Sequence, residues 1–239
     1  MKRSEIKKAV KKRYGQFAKQ GYSCCPDYSC CDIGYSVEEI KDLPVDITEF
    51  SLGCGNPGAL ADIRKGETIL DIGSGGGLDV FLASRKVGPE GKVIGLDMTE
   101  QMVEKARQNA IKGNYKNVEF KLGEVEDIPV KDNSIDLVMS NCVINLVPDK
   151  EKAYREIYRI LKPSGRFVIS DVVTEKELDE VIRNNPEKLV ACVGGALTEK
   201  EYIGAIKKSG FKNVKILKKS SMIISGVKVL SETVRGEKR

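Results

Sequence analysis

Residues 69–77 read Ile-Leu-Asp-Ile-Gly-Ser-Gly-Gly-Gly, a short apolar run that passes directly into a glycine-rich loop. The apolar run predicts a buried strand over residues 68–72, and the periodic apolar positions that follow predict a helix over residues 78–86. Glycine lets the backbone turn sharply and approach a ligand without a Cβ in the way. This stretch therefore predicts a strand, a ligand-binding loop and a helix in succession.

The spacing of the glycines restricts the ligand. Gly73, Gly75 and Gly77 give the pattern Gly-x-Gly-x-Gly, and position 78 is Leu. A dinucleotide fingerprint requires Gly-x-Gly-x-x-Gly, which would place the third glycine at position 78. The loop therefore suits a pyrophosphate poorly. It favours the amino-acid moiety of S-adenosylmethionine, with Asp71 at the strand end helping to orient the loop and the ligand.

A second strand is predicted over residues 92–97, and it supplies an acid for the ribose. Residues 93–97 read Val-Ile-Gly-Leu-Asp, and Asp97, followed by Met98, lies twenty residues after Gly77. A carboxylate at this point of a βαβ unit can accept hydrogen bonds from both ribose hydroxyls. Asp97 could also be the N-cap of the next helix, and the two roles are compatible. We expect Asp97 and Met98 to contact the cofactor.

The loop after the third predicted strand borders the adenine. Residues 123–129 read Gly-Glu-Val-Glu-Asp-Ile-Pro. An acid there can accept from the exocyclic amine while a backbone N–H faces a ring nitrogen, and the spacing leaves Glu124, Val125 and Glu126 as alternatives. Together with the glycine loop and Asp97, this segment gives three cofactor elements in the expected order. They predict an S-adenosylmethionine-dependent methyltransferase.

Strands and helices alternate from residue 67 onward. Further strands are predicted over residues 118–121, 135–140 and 165–171, and further helices over residues 100–111 and 150–161. This alternation predicts an α/β fold with a doubly wound, mainly parallel sheet, of the Rossmann-like class I methyltransferase type. A helix over residues 199–209 and two β-rich runs, 214–218 and 222–234, predict a closing antiparallel pair of strands.

Three regions are expected along the chain. Residues 1–50 form an N-terminal extension with a basic helix (about 4–19), a cysteine-rich loop (21–34) and a short helix (37–43). Residues 51–173 form the cofactor-binding core. Residues 174–239 form a segment that covers the substrate and the closing strands of the same sheet.

Composition excludes several other classes of protein. The 239 residues carry a net charge of +5, and the basic residues interleave with acids, which is typical of solvated helix faces and not of a nucleic-acid groove. No apolar run approaches the roughly 20 residues of a membrane span, and no apolar stretch follows the N-terminal charges as in a signal peptide. We therefore expect a cytoplasmic, monomeric protein with reduced thiols.

The chain has no histidine and seven cysteines. It therefore lacks the commonest general base near neutral pH and the commonest nitrogen ligand of metals. In a reducing compartment, such a set of cysteines indicates metal binding or catalysis more than a disulfide framework.

The cysteines differ in their surroundings. Cys142 follows Asn141 at the carboxyl end of the fourth predicted strand, where ligands bind in open α/β sheets, so we expect both beside the reactive end of the cofactor. Cys142 and Cys192 lie among apolar neighbours and could equally be buried small hydrophobes. Cys54 stands between two glycines in an accessible loop. Cys24, Cys25, Cys30 and Cys31 could hold zinc, although adjacent pairs fit the usual Cys-x-x-Cys spacing poorly.

Several segments resemble those of the arsenite methyltransferases, over about residues 10–235. They are Ser-Cys-Cys (23–25), Asp-Ile-Gly-Tyr-Ser (32–36), Leu-Gly-Cys-Gly-Asn-Pro (52–57), Gly-Leu-Asp-Met-Thr (95–99), Ser-Asn-Cys-Val-Ile-Asn-Leu (140–146), Pro-Asp-Lys (148–150), Leu-Lys-Pro (161–163) and Cys-Val-Gly-Gly-Ala-Leu (192–197).

This resemblance implies a substrate and a set of ligands. Cys54, Cys142 and Cys192 would be the thiolates that hold As(III), and Cys25 or Cys24 an accessory thiol. The accessory thiol would pair with Cys54 when the site is oxidised, and a reductant of the thioredoxin or glutathione type would restore it. Longer members carry a further C-terminal domain, and the resemblance gives no counterpart for Cys30 and Cys31.

Thiolate chemistry agrees with this implication. Soft thiolates select thiophilic centres, and three sulfurs around As(III) leave a lone pair pointing outward. That lone pair can attack the sulfonium methyl group in line with no proton to remove, whereas an oxygen or carbon acceptor usually needs a positioned base. Two other functions stay open. One is methylation of a small organic acceptor with incidental cysteines, and the other is non-catalytic binding of arsenic or metals.

Overall fold

The computed structural model describes residues 3–20, 34–41, 43, 45–48 and 53–239. The helices are α1 (Arg3–Gln20), α2 (Val37–Ile40), α3 (Val45–Thr48), α4 (Pro57–Leu60), α5 (Leu78–Val87), α6 (Glu100–Lys112), α7 (Lys150–Ile160), α8 (Glu180–Arg183), α9 (Pro186–Val190) and α10 (Glu199–Lys208). The strands are β1 (Thr68–Ile72), β2 (Lys92–Asp97), β3 (Val118–Leu122), β4 (Ile135–Asn141), β5 (Leu161–Val173), β6 (Lys212–Ile224) and β7 (Val227–Glu237), and a 3₁₀ helix covers Ile144–Leu146.

The strands form one seven-stranded sheet with the order β3-β2-β1-β4-β5-β7-β6. The first five are parallel, whereas β7 pairs antiparallel with both β5 and β6. The predicted doubly wound sheet with a closing antiparallel pair is therefore confirmed. The strand order reverses between β1 and β4, where Ile72 lies opposite Ser140. Ligands of open α/β sheets bind outside the carboxyl ends of strands at such a point.

Both faces of the sheet are covered. Because successive side chains of a strand point to opposite faces, Ile69 packs in one apolar cluster with Phe81 of α5, and Leu70 packs in another with Tyr154 of α7. This arrangement explains why the parallel strands read as continuous apolar runs. It also leaves the carboxyl edge of the sheet for polar loops. None of the described helices is long and apolar enough to cross a membrane.

The prediction of one β-rich run over residues 222–234 is wrong. β6 continues to Ile224, and Ser225 and Gly226 form the turn into β7 with φ angles of 50° and 76°. Two successive positive φ angles are typical of the tight hairpin turn that matches the twist of the strands. The predicted helix over residues 37–43 is also shorter, since α2 ends at Ile40.

A buried ion pair ties the middle of the sheet to the segment that precedes it. Arg166 of β5 donates to both carboxylate oxygens of Glu67 at 2.7 and 3.0 Å, and its Nε donates to the carbonyl oxygen of Ala61 at 3.0 Å. The Arg166 side chain is only 5% exposed. This contact fixes the chain just after α4, which itself follows the Cys54 loop.

Candidate active site

A cavity lies at the carboxyl edge of the sheet, beside the point where the strand order reverses. Loops after the first four strands and one face of α1 form most of its wall. The lining includes Lys7, Val10, Tyr14, Tyr35, Gly53, Asp71, Gly73, Ser74, Gly75, Gly76, Asp79, Asp97, Met98, Thr99, Glu124, Val125, Glu126, Asn141, Cys142 and Val143. Nine of the ten predicted cofactor residues are in this wall, and Gly77 is not.

The glycine loop is folded against the end of β2. Gly73 has a φ of +70°, and its backbone N–H donates to the carbonyl oxygen of Leu96 at 2.7 Å. A Cβ at Gly73 would overlap the side chain of Val143. Ser74, which the sequence prediction missed, has a buried hydroxyl with no hydrogen-bond partner among the described residues. The loop therefore presents an unused hydrogen-bonding group in the cavity wall.

Gly77 has a different role. It is the N-cap of α5 with a φ of +100°, and a Cβ there would overlap the ring of Phe81. Glycine is needed at this position for the close packing of helix and sheet, a role that a glycine spacing alone does not separate from ligand binding.

Asp97 ties the loop to the next helix. One carboxylate oxygen accepts from the backbone N–H of Gly75 at 3.0 Å, and the other accepts from that of Thr99 at 2.9 Å. Burial raises the pKa of Asp97, and these hydrogen bonds partly oppose that effect. The N-cap of α6 is Thr99 and not Asp97, so that alternative is wrong.

Further acids lie near Asp97. Asp71 is fully buried, and its pKa is raised by that burial and by the neighbouring charges of Asp79 and Asp97. Burial also raises the pKa of Asp79 to about 6, although Tyr35 donates to it at 2.8 Å. Sequence reasoning missed Tyr35 and Asp79, because no local pattern indicates that the N-terminal extension reaches this helix. The acidic wall favours a cationic ligand.

The loop after β3 is paired with α1. Lys7 forms ion pairs with Glu124, at 2.6 Å, and with Glu126. Burial lowers the pKa of Lys7, but hydrogen bonds to both acids raise it above its usual value. All three candidates for the adenine contact line the cavity, and Glu126 is the more buried of the two acids.

Three cysteines that are far apart in sequence converge beside this cavity. Cys54, Cys142 and Cys192 are buried free thiols in one small apolar cluster, and Cys142 also lines the cavity. Hydrogen-bonding contacts of the Cys142 thiol with Cys192 and Cys54, together with burial, raise the pKa of Cys142 well above that of an ordinary thiol. The contact with Cys142 lowers the pKa of Cys54, whereas burial and the nearby Asp171 raise it more.

The raised pKa values of Cys142 and Cys54 favour the protonated thiols of these two residues near neutral pH. Within the described ranges, no three His, Cys, Asp or Glu side chains are arranged to coordinate a metal ion as they stand. Joint coordination by the three sulfurs would require them to turn toward a common point.

The backbone holds two of the cysteines in an uncommon conformation. Cys142 and Cys192 have φ angles of 61° and 63°, in the left-handed region that favours glycine. Non-glycine residues in this region concentrate at functional sites, where the surrounding structure stabilises them. Each must therefore be fixed by its neighbours.

Asn145 ties the Cys192 backbone to the segment that follows β4. Its backbone N–H donates to Asp171 at 2.8 Å, its side-chain amide donates to the carbonyl oxygen of Cys192 at 2.7 Å, and its own carbonyl oxygen accepts from Lys150 at 3.1 Å. Burial raises the pKa of Asp171 to about 7 and lowers that of Lys150 to about 8. Asn145 was not predicted as a site residue, because its partners come from distant elements.

The Cys54 loop is held by Asn141. The side-chain oxygen of Asn141 accepts from the backbone N–H groups of Cys54 and Gly55 at 2.9 and 3.2 Å. Ser231 of β7 donates to the carbonyl oxygen of Cys54 at 2.7 Å. Asn141 therefore connects the cofactor wall to the cysteine loop. The predicted accessory Cys25, with Cys24, Cys30, Cys31 and their zinc alternative, lies outside the described residues.

Comparison with known proteins relates this geometry to a family. A family model described as a methyltransferase domain matches residues 63–219. The arsenite methyltransferases of Halobacterium salinarum and Homo sapiens are 40% and 36% identical to this chain over 90% and 87% of its length, and the matches cover 59% and 58% of theirs. The chain thus spans about three fifths of the length of these curated relatives.

One solved structure is matched over a larger share of its own chain than these two relatives are. The arsenic(III) S-adenosylmethionine methyltransferase of Chlamydomonas reinhardtii superposes with a TM-score of 0.76 at 33% identity. The match covers 84% of this chain and 72% of that one.

Proposed function

Because this chain belongs to the arsenite methyltransferase family, we propose that it transfers a methyl group from S-adenosylmethionine to trivalent arsenic held by Cys54, Cys142 and Cys192. One observation carries this proposal. Three buried free thiols from three distant loops meet at the end of the cavity, and one of them, Cys142, is part of its wall. An organic acceptor would not need this convergence.

The cavity fits S-adenosylmethionine in its shape and charge. The folded glycine loop, the partnerless Ser74 hydroxyl and the acids Asp71, Asp79 and Asp97 suit a ligand with a cationic amino-acid end and a ribose. When bound, the cofactor supplies an activated methyl group on a sulfonium. In this proposal Asp97 binds the ribose, one of the residues Glu124–Glu126 contacts the adenine, and Asn141 lies near the reactive end.

Arsenic capture needs no general base. When arsenous acid, As(OH)₃, meets three thiols, each thiol proton leaves with one hydroxide as water, and three As–S bonds form. Protonated resting thiols, as burial favours for Cys142 and Cys54, are therefore the correct starting state. A protein without histidine can carry out this step.

Methyl transfer then depends on the alignment of the arsenic lone pair with the methyl group. Cys54, Cys142 and Cys192 would hold the arsenic with its lone pair toward the methyl group that the bound cofactor would supply, so that an As–C bond could form as the carbon–sulfur bond breaks, with no proton to move. The chain contributes proximity and alignment, which account for a large share of rate acceleration in such reactions.

The lone pair is spent in each transfer, so arsenic leaves formally pentavalent and must be reduced before another round. We propose that a thiol reductant of the thioredoxin or glutathione type serves this step and keeps the site reduced. The cytoplasm, where such reductants maintain free thiols, is the proposed compartment. We propose that the chain is active as a monomer.

The test is mass spectrometry of arsenic species after incubation with S-adenosylmethionine, arsenite and a thiol reductant. We expect methylated arsenicals to accumulate, and none with Cys142→Ser. Cofactor turnover that required an organic acceptor and ignored arsenite would overturn the proposal. Tight arsenite binding without any turnover would instead identify a binding protein.

A further inference from the structure

Helix α1 covers the cavity and contacts residues at both ends of the cavity. Lys7, Val10 and Tyr14 line the cavity. Their spacing of three and four residues places them on one face of the helix. Lys7 reaches Glu124 and Glu126 at the proposed adenine end. Tyr14 reaches the other end, where its hydroxyl lies 3.6 Å from Sγ of Cys192.

The Cys192 sulfur has two polar neighbours of different kinds. Its thiol donates to the carbonyl oxygen of Cys142 at 3.5 Å. The Tyr14 hydroxyl lies within hydrogen-bonding distance of the Cys192 sulfur. A carbonyl oxygen can only accept, so it offers nothing to a thiolate. A hydroxyl can donate to a sulfur that has lost its own proton.

We infer that Tyr14 is a positioning residue, which donates to the Cys192 sulfur once that sulfur has lost its proton to arsenic capture and so holds it in the arsenic-binding orientation. This inference rests on the proposed function. It gives α1 a part in the substrate site beyond covering it. A second face of α1, with Lys8, Lys11 and Lys12, is exposed and basic and does not line the cavity.

Tyr14→Phe separates this role from packing. The Tyr14 ring packs edge to face against Phe17 with centroids 5.7 Å apart, and phenylalanine preserves that contact. The matched control is Tyr158→Phe. It removes a hydroxyl that donates to the carbonyl oxygen of Arg239 at 3.1 Å and lies outside the cavity wall.

Two measurements test the inference. Steady-state kinetics gives KM for arsenite and for S-adenosylmethionine separately, and transfer of bound arsenite to a dithiol chelator gives its release rate without turnover. For Tyr14→Phe we expect the arsenite KM and the release rate to rise severalfold, up to about tenfold, the size expected for the loss of one hydrogen bond. The cofactor KM and the thermal midpoint should stay at wild-type values, as should all four quantities in Tyr158→Phe.

Each outcome decides the matter. A Tyr14→Phe variant with wild-type arsenite KM and release rate would overturn the inference and leave the proposed function intact. Equal increases in both KM values, with a lower thermal midpoint, would show a structural role and also overturn it. Wild-type protein that captures no arsenite would remove the proposed function, and the inference with it.

Discussion

The three cysteines are held in different ways, and this matters at the scale of single residues. Cys54 sits on a loop fixed by Asn141 and Ser231, whereas the Cys192 thiol donates to the carbonyl oxygen of Cys142 and Asn145 donates to that of Cys192. After the first methyl transfer and reduction back to As(III), carbon occupies one of the three positions on arsenic, so a trivalent monomethyl arsenical needs only two thiolates. Family resemblance assigns these to Cys142 and Cys192.

We therefore expect Cys54→Ser to abolish methylation of arsenite but to keep part of the methylation of trivalent monomethylarsenic. Cys142→Ser and Cys192→Ser should lose both activities. Product analysis with each substrate in turn measures the difference. Wild-type rates on both substrates in all three variants would rule out a thiolate site.

Asp97 is the second residue whose replacement is informative. It holds Gly75 and Thr99 by hydrogen bonds and lines the cavity. Asp97→Ala should weaken S-adenosylmethionine binding at least tenfold, since one charge-assisted hydrogen bond to a ribose is worth about 1.5–3 kcal/mol. Calorimetry measures the affinity, and exposed Asp62→Ala is the control. Unchanged affinity in Asp97→Ala would remove this residue from the ribose site.

Local spacing was enough to place the glycine loop, Asp97 and Cys142 at strand ends in the cavity wall, whereas the grouping of Cys54, Cys142 and Cys192 was implied by the family resemblance. It could not predict Ser74, Tyr35 or Asn145. Their significance depends on partners, or on the lack of a partner, that only the folded chain reveals.

At the scale of secondary structure elements, the Arg166–Glu67 pair joins β5 to the segment before β1. Removing one partner of a buried pair leaves an uncompensated charge. We expect Glu67→Ala to lower the free energy of unfolding by about 3 kcal/mol in urea denaturation. Arg64→Ala is the matched control, because its pair with Asp62 is 65% and 62% exposed and should contribute less than about 1 kcal/mol. Equal effects of both variants would contradict this account.

The elements themselves were predictable in proportion to their length and burial. β1 and β2 were predicted to the residue, since a buried parallel strand is a continuous apolar run. The helices α8 and α9 have four and five residues, too few for a helical period to show. The turn at Ser225-Gly226 was missed although a Ser-Gly pair is a turn signal, because the flanking residues are uniformly β-branched or apolar.

At the scale of the whole molecule, stability should depend on pH through a group in the interior. Burial raises the pKa of Asp171 to about 7. An aspartate of the unfolded chain titrates near 3.9, so between these values the folded state binds the extra proton. The contribution of Asp171 is therefore fully present below about pH 4 and is lost as pH rises through 7.

Asp171→Asn isolates this contribution from those of the other acids. From about pH 4 to about pH 8, the wild type should lose about 2–4 kcal/mol of unfolding free energy relative to Asp171→Asn, at about 1.4 kcal/mol for each unit of pKa shift. Urea denaturation at several pH values measures both proteins. Parallel curves would show that Asp171 titrates normally.

The architecture as a whole was predictable because the alternation of strands and helices leaves few topologies. The position of α1 was not. The sequence of an amphipathic helix shows which of its faces is buried but not what that face packs against. In this structure the buried face of α1 forms part of the cavity wall, from Lys7 beside Glu124 to Tyr14 beside Cys192.

The left-handed backbone at Cys142 and Cys192 has an evolutionary consequence. Glycine or asparagine would adopt these φ angles with less strain, so a cysteine at either position costs stability. Selection for stability alone would favour replacing both, and under the proposed function exposure to arsenic would oppose that drift. In a lineage freed from arsenic, these two positions should therefore be among the first of the site to change.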